Sequence, residues 1–214
     1  MRTREIQIDG FGQFLVPGEP EERSRRSEEC VREVLDRQIY MYLRDSPENV
    51  TTLVDVGCNV GAFLLWARRR WPSLQTVFAY DPNESALELA SENAAWAEDS
   101  IVHAAVTIDP RPLFKEEMDW GGSRTYGQSE GVHVPRIHPR DLPPADVLKV
   151  DAEGVEVEVF SHYQHWADVK ILCFEYHETR FRKTLMSIAA EAGLVMRRGN
   201  PEVVEVDTQV WVRP

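Results

Sequence analysis

A chain of 214 residues is long enough for one domain with a full core and needs no disulfide or metal staple. Its formal net charge of −12 opposes a broad phosphate-binding surface, so no nucleic-acid partner is expected, and with no apolar run near the roughly 18 residues of a membrane span no membrane is expected either. Cys30, Cys58 and Cys173 are odd in number and far apart, and the N-terminus lacks a signal-peptide apolar core, so reduced thiols in a cytoplasmic protein are the expectation.

Residues 5–16 alternate polar and apolar around Gly10 and Gly12 and predict a hairpin or an edge strand, ended by Pro17-Gly18-Glu19-Pro20. Val31, Val34, Leu35, Ile39, Tyr40 and Leu43 have helical spacing and predict a helix over residues 28–43. Strands and helices then alternate. Strands are predicted at 52–56, 76–80, 101–108, 147–150 and 170–176, and helices at 62–70, 82–98, 155–166 and 180–192. Gly193 suits the left-handed position that ends a helix. Residues 203–206 and 208–212 read as two closing strands. The basic clusters are Arg23, Arg25 and Arg26, and Arg68-Arg69-Arg70, which ends a helix where cations complement the dipole.

Such alternation implies an α/β fold with a mainly parallel sheet, helices on both faces and an antiparallel element at the C-terminal end. One domain is expected over residues 1–214, with 1–50 capping a site formed by the core of 51–214. Residues 109–141 are irregular and are expected to cover the mouth of that site.

In open α/β sheets the ligand lies at the carboxyl ends of the strands. Here those ends carry Asp55 and Gly57, Asp81, Ala104 and Ala105, Asp151 and Glu153, and Glu175 and His177. In Asp55-Val56-Gly57-Cys58-Asn59-Val60-Gly61, Gly57 allows a sharp turn and Gly61 a close approach at a helix start. Asn59 stands where a dinucleotide fingerprint wants its second glycine, and Ala62 fits the relaxed third position. Asp81 can accept two ribose hydroxyls. These features leave S-adenosylmethionine, a nicotinamide or a turn without ligand. The absence of a Tyr-x-x-x-Lys pair counts against hydride chemistry. Asp151 and Glu153, two apart, face one side in extended chain and can serve a cation such as a sulfonium, or cap the helix that follows.

The glycine turn, followed by Leu148-Lys149-Val150-Asp151-Ala152-Glu153-Gly154-Val155-Glu156, resembles the FkbM family of S-adenosylmethionine-dependent methyltransferases. Weaker likenesses in order are Tyr80-Asp81-Pro82, Asn93, His103-Ala104-Ala105-Val106 and Phe174-Glu175-Tyr176-His177, so the resemblance spans about residues 51–193. Cys58 stands for the usual alanine and Asp81 for the usual glutamate, small changes that keep the chemistry. The resemblance implies a Rossmann-like class I methyltransferase fold with seven strands. It also implies O-methylation of a hydroxyl on a sugar or other small natural product.

By position in the family, Asp55, Gly57, Cys58, Asn59, Gly61 and Phe63 surround the amino-acid and sulfonium end of the cofactor. Asp81 holds the ribose with Asn83 nearby, and Ala105 lies against the adenine. Asp151 is nearest the methyl group, as base or orienter, assisted by Glu153, with His177 a rival base. His133 and His138, in the irregular segment, could reach a substrate or stay solvated, and Trp120, Tyr126, Tyr40 and Trp96 could pack on it or anchor core and loops. Asp151, Glu153, Glu175 and His177 could form a metal site, but cofactor-binding carboxylates explain the same residues, so no metal is expected. A peptide, protein or nitrogen acceptor, an NAD(P)-dependent oxidoreductase and a non-catalytic cofactor-binding domain are the alternatives. The acceptor and the oligomeric state are not encoded in a readable way.

Overall fold

Thr52–Val56 (β3) is a short, mainly apolar run, buried at all but its first position, and it lies in the interior of a seven-stranded sheet. The computed structural model describes residues 2–37, 40, 48–109, 114–115, 132–152, 154–177, 179–198 and 207–214. Its elements are β1 (Thr3–Ile8), β2 (Gly12–Pro17), α1 (Glu21–Leu35), β3, α2 (Ala62–Arg70), β4 (Thr76–Asp81), α3 (Glu84–Asn93), β5 (Ile101–His103) and β6 (Ala105–Val106). After two-residue strands β7 (Phe114–Lys115), β8 (Val132–His133) and β9 (Arg136–Ile137) come β10 (Val147–Val150), α4 (Glu156–His162), β11 (Ile171–Tyr176), α5 (Arg182–Glu191), β12 (Val195–Arg198) and β13 (Asp207–Val212).

The sheet order is β12-β13-β11-β10-β3-β4-β5. β11, β10, β3, β4 and β5 are parallel, while β13 runs antiparallel to both β11 and β12. The expected mainly parallel sheet with an antiparallel C-terminal end is therefore present. From β3 the chain progresses outward through β4 to β5, then returns to the other side of β3 with β10 and β11. That reversal falls between β3 and β10, and the carboxyl ends of strands at such a point are where ligands of open α/β sheets lie.

Alternation along the strands sorts the core into two layers. Leu53, Val77, Ala79, Val147, Ile171 and Cys173 face α1, α2, α3 and the β1–β2 hairpin. Val54, Val56, Leu148, Val150, Leu172 and Phe174 face α4 and α5. Asn93, at the end of α3, ties the hairpin to the glycine turn. Its Oδ1 accepts from Leu15 N at 2.7 Å, and its Nδ2 donates to Leu15 O at 2.9 Å and to Val60 O at 3.0 Å.

Several boundaries differ from expectation. The first helix starts at Glu21 rather than residue 28. Pro20 adopts φ −65° at the N-cap, Glu21 and Glu22 occupy the first turn, and the buried stripe begins with Ser24 and Ser27, which a hydrophobic pattern does not register. The helix of 82–98 starts at Glu84, because Asn83 caps it by accepting from Ala86 N, and after Asn93 it gives way to a 3-10 turn at Ala95–Ser100. The strand of 101–108 breaks at Ala104, whose N–H donates to Asp81 O at 3.1 Å, and β6 leaves the main sheet to pair with β9. Residues 203–206 lie outside the described residues. The strand paired with β13 is β12, which follows Gly193 at φ 80°. Its exposed Val195 and its arginines gave it no apolar signature.

Candidate active site at the strand ends

The glycine turn after β3 is held against the neighbouring strand ends by backbone hydrogen bonds. Gly57 N and Cys58 N both donate to Tyr80 O, at 2.8 and 3.2 Å, and Asp151 N donates to Val56 O at 2.9 Å. Gly57 has φ 84°, and a Cβ there would lie 1.8 Å from the Asp151 carbonyl oxygen. Only glycine lets β10 pass so close. Gly61, at φ 85°, likewise lets α2 start 3.2 Å from Ala90 Cα, measured from the place a Cβ would take. Asn59 adopts φ 48°, a left-handed conformation that asparagine tolerates better than most residues.

Asp81 joins this turn to the next helix. Its Oδ2 accepts from Asn59 N at 2.9 Å and its Oδ1 from Asn83 N at 2.8 Å. A carboxylate offers about four lone-pair sites, so two engaged amides leave capacity for hydroxyl donors. Asn83 spends its side-chain oxygen on Ala86 N. Cys58 is buried, and burial first, then the charges of Asp81 and Asp55, push its thiol well above the usual range, which disfavours the thiolate. Phe63 is buried in the core behind the turn, 4.8 Å edge-on to Tyr40 and 5.5 Å from Trp66. Ala105 starts β6, where its N–H donates to Pro135 O.

Register places a charged row across the sheet on the side of α1 and α2. Lys149 is the partner of Asp55 on one side and of Cys173 on the other. Its Nζ lies 3.1 Å from Asp55 Oδ1 and 3.6 Å from Asp151 Oδ2, and donates to Gly57 O. Burial pulls the ammonium down, but Asp55 and Asp151 outweigh it and hold Lys149 above the ordinary lysine range. Burial pushes Asp55 above the usual carboxylate range against the pull of Lys149. Asp55 Oδ2 accepts no hydrogen bond from the described residues. Tyr40 lies over this row; burial, then the nearby charges led by Asp151, push its phenol well up.

Beyond Lys149 the row turns into a second cluster. His177 Nδ1 lies 2.8 Å from Glu156 Oε1, which also accepts from Gly154 N at 3.0 Å. Its Nε2 lies 3.7 Å from both Asp151 Oδ1 and Glu175 Oε1. Thr208 Oγ1 donates to the other oxygen of Glu175 at 3.4 Å. Asp151 and His177, named from separate strand ends, are thus neighbours. Glu153 lies outside the described residues, as does the His133 side chain, together with Trp120 and Tyr126. His138 caps a short turn by accepting from Arg140 N, and Trp96 stacks under Arg68 at 5.1 Å.

Two site residues carried no predicted role. Lys149 is a lysine inside a fully buried strand, a combination that signals a paired charge. Glu156 opens α4 directly after the Gly154 turn, yet it is buried, which sequence alone could not tell from a solvated helix-start carboxylate.

No protein-family model matches the chain. The hexuronic acid methyltransferase AglP of Haloferax volcanii is 23% identical over 172 residues, covering 74% of this chain and 70% of that protein. The crystal structure of a precorrin-6y C5,15-methyltransferase from Geobacter metallireducens superposes with a TM-score of 0.50 at 12% identity, over 94% of this chain and 93% of its own. A magnesium protoporphyrin IX methyltransferase from Synechocystis, solved with bound SAM, covers 92% of this chain and 86% of its own at 11% identity and a TM-score of 0.49. The order and directions of the seven strands, with the likeness to the precorrin-6y enzyme, give this chain the class I methyltransferase fold.

Proposed function

We propose that this chain transfers the methyl group of S-adenosylmethionine to a hydroxyl oxygen of a sugar or similar small natural product, as its resemblance to the FkbM family implies. The observation that carries the reading is the gathering of the Gly57–Gly61 turn, the Asp81 carboxylate and the Asp151–Glu175–His177 cluster at the carboxyl ends of neighbouring strands, where the strand order reverses. The name of the AglP relative supports a sugar acid as acceptor.

In this reading the turn backbone and Asp55 face the amino-acid end of the cofactor, and Asp81 accepts from the ribose. Asn83, Ala105 and Phe63 shape the walls or brace them from behind. The acceptor oxygen attacks the methyl carbon in line, the carbon–sulfur bond breaks with its electron pair going to sulfur, and the hydroxyl proton leaves. Positioning supplies much of the acceleration, because the sulfonium is already activated. Asp151 and His177 stand where that proton and the developing charge must be handled.

Calorimetry with S-adenosylhomocysteine, NAD and NADP tests the donor. Micromolar-range binding of the first alone supports it, and binding of a nicotinamide instead overturns it. Incubation with S-adenosylmethionine and hexuronic acid glycosides, followed by mass spectrometry, tests the acceptor.

A further inference from the structure

We propose that Asp151, Glu175 and His177 bind a divalent first-row cation at the carboxyl ends of β10 and β11. One ligand atom from each of the three lies within 4.8 Å of the other two. They arrive from two neighbouring strand ends, and Glu175 and His177 are two apart in extended chain, so both side chains project to one side.

The tautomer of His177 is set from behind. Glu156 is buried, and its carboxylate only accepts, so Nδ1 carries the proton and donates to Oε1 at 2.8 Å. In the neutral ring the lone pair of Nε2 then faces Asp151 and Glu175. A carboxylate on the far nitrogen is the outer partner that metal-binding imidazoles generally have. Thr208 braces Glu175 in the same way.

The distances also favour a shared cation. At 3.7 Å from each carboxylate oxygen, Nε2 is too far for a hydrogen bond to either. Two atoms each about 2.1 Å from one ion stand about 3.0 Å apart at a right angle and about 3.4 Å apart at a tetrahedral one. Closing 3.7 Å to that range needs only a small rotation of half-buried carboxylates. Asp151 and Glu175 have side chains 31% and 27% exposed, so an ion can enter and keep open positions. Lys149 does not replace it, since its ammonium sits closer to Asp55 than to Asp151. One imidazole with two carboxylates suits Mn²⁺, Fe²⁺ or Zn²⁺ better than Ca²⁺.

What the ion does rests on the methyltransferase reading. Asp151 borders the glycine turn, so the ion lies beside the methyl donor. It would bind an acceptor presenting two neighbouring oxygens, a vicinal diol or a hydroxyl next to a carboxylate. The hydroxyl proton leaves to solvent, the oxygen bonds to the methyl carbon, and the sulfur takes the carbon–sulfur pair.

Full-length protein, stripped with chelator and dialysed, is titrated with MnCl₂ and separately with ZnCl₂. Free Mn²⁺ is read by its electron paramagnetic resonance signal, and zinc by a competing dye. One ion per chain is expected, and Glu175→Gln and His177→Gln should each weaken binding by about tenfold or more. Calorimetry with S-adenosylhomocysteine on the same samples reports folding and tests the cofactor reading on its own. Protein that binds S-adenosylhomocysteine but takes up neither ion overturns the proposal, as does unchanged uptake in both variants. Should both variants fail to fold, methyl transfer by chelator-treated wild type decides: loss restored by MnCl₂ supports the ion, and an undiminished rate overturns it.

Discussion

Lys149 Nζ and Asp55 Oδ1 lie 3.1 Å apart with both side chains almost wholly out of water. The pair links adjacent strands β10 and β3 directly beneath the glycine turn. A lysine held above its ordinary range by such partners contributes stability that is complete below the unfolded lysine pKa of about 10.4 and is lost as pH rises through the folded value. It is therefore fully present at neutral pH. Lys149→Met should destabilise the protein by about 3–5 kcal/mol at pH 7, because it strands Asp55. Adding Asp55→Asn should restore about 1–3 kcal/mol of that loss. Urea denaturation of the two singles and the double variant measures the coupling, and strict additivity would show that the pair does not act as one.

Gly57 and Gly12 have similar positive φ but different surroundings. A Cβ on Gly12 meets nothing within 4 Å, whereas one on Gly57 meets the Asp151 carbonyl. Gly12→Ala should cost about 1–2 kcal/mol, from backbone conformation alone. Gly57→Ala should cost at least about 3 kcal/mol or force β10 away and abolish S-adenosylhomocysteine binding. Equal effects in thermal unfolding would mean that contact at the turn is unimportant.

Asp81 holds two backbone amides from different elements. If it also accepts from a ribose, Asp81→Ala should raise the S-adenosylhomocysteine dissociation constant about 100-fold, the equivalent of two charge-assisted hydrogen bonds. An unchanged constant by calorimetry removes the ribose role.

Glu156→Gln preserves shape, but Oε1 takes both Gly154 N and His177 Nδ1, so the amide either keeps both bonds without the charge or, turned over, presents an N–H to His177, reverses its tautomer and gives up Gly154. Turnover should fall about 100-fold while S-adenosylhomocysteine affinity changes less than about twofold. A variant with normal turnover would confine Glu156 to bracing the turn.

Asp146 gathers the opposite, amino-terminal ends of the central strands. It accepts from Thr51 N at 2.7 Å and Thr51 Oγ1 at 2.9 Å, and pairs with Lys170 at 2.8 Å. Burial pushes its carboxyl up, but Lys170 and the Thr51 donors outweigh this and hold it below the usual range. A carboxylate lowered on folding contributes stability above its unfolded pKa and loses it as pH falls through the folded value. Asp146→Ala should therefore cost about 1–3 kcal/mol at pH 7 and progressively less below about pH 4. Melting temperatures of wild type and variant across that range check the convergence.

Much of the sheet was legible because its signals are local. The apolar run at Thr52–Val56, the breaking Trp71-Pro72 and the glycines at 57 and 61 mark β3 and α2 at their observed bounds. What escaped depended on partners distant in sequence. Ser24 and Ser27 line the buried face of α1 only because the hairpin and α2 pack against it. β12 is a strand because β13 pairs with it, not because of its own residues. The break at Ala104 follows from a hydrogen bond to Asp81, and nothing in residues 101–108 encodes it.

The same division runs through the site. Composition and the glycine turn by themselves determined an α/β sheet with small and acidic residues at the carboxyl ends of its strands, the pattern that raises the expectation of a nucleoside-bearing cofactor there. Each of those signals is a short stretch whose spacing has a direct steric or hydrogen-bonding meaning. Which groups become one site was decided only by tertiary structure. Parallel register sets Lys149 against Asp55, and the neighbouring ends of β10 and β11 bring Asp151 to His177. Burial then converts Glu156 from an ordinary helix-start carboxylate into the partner of that histidine. Charge interactions depend on distance and on the exclusion of water, and neither is a property of residues taken one at a time along a chain.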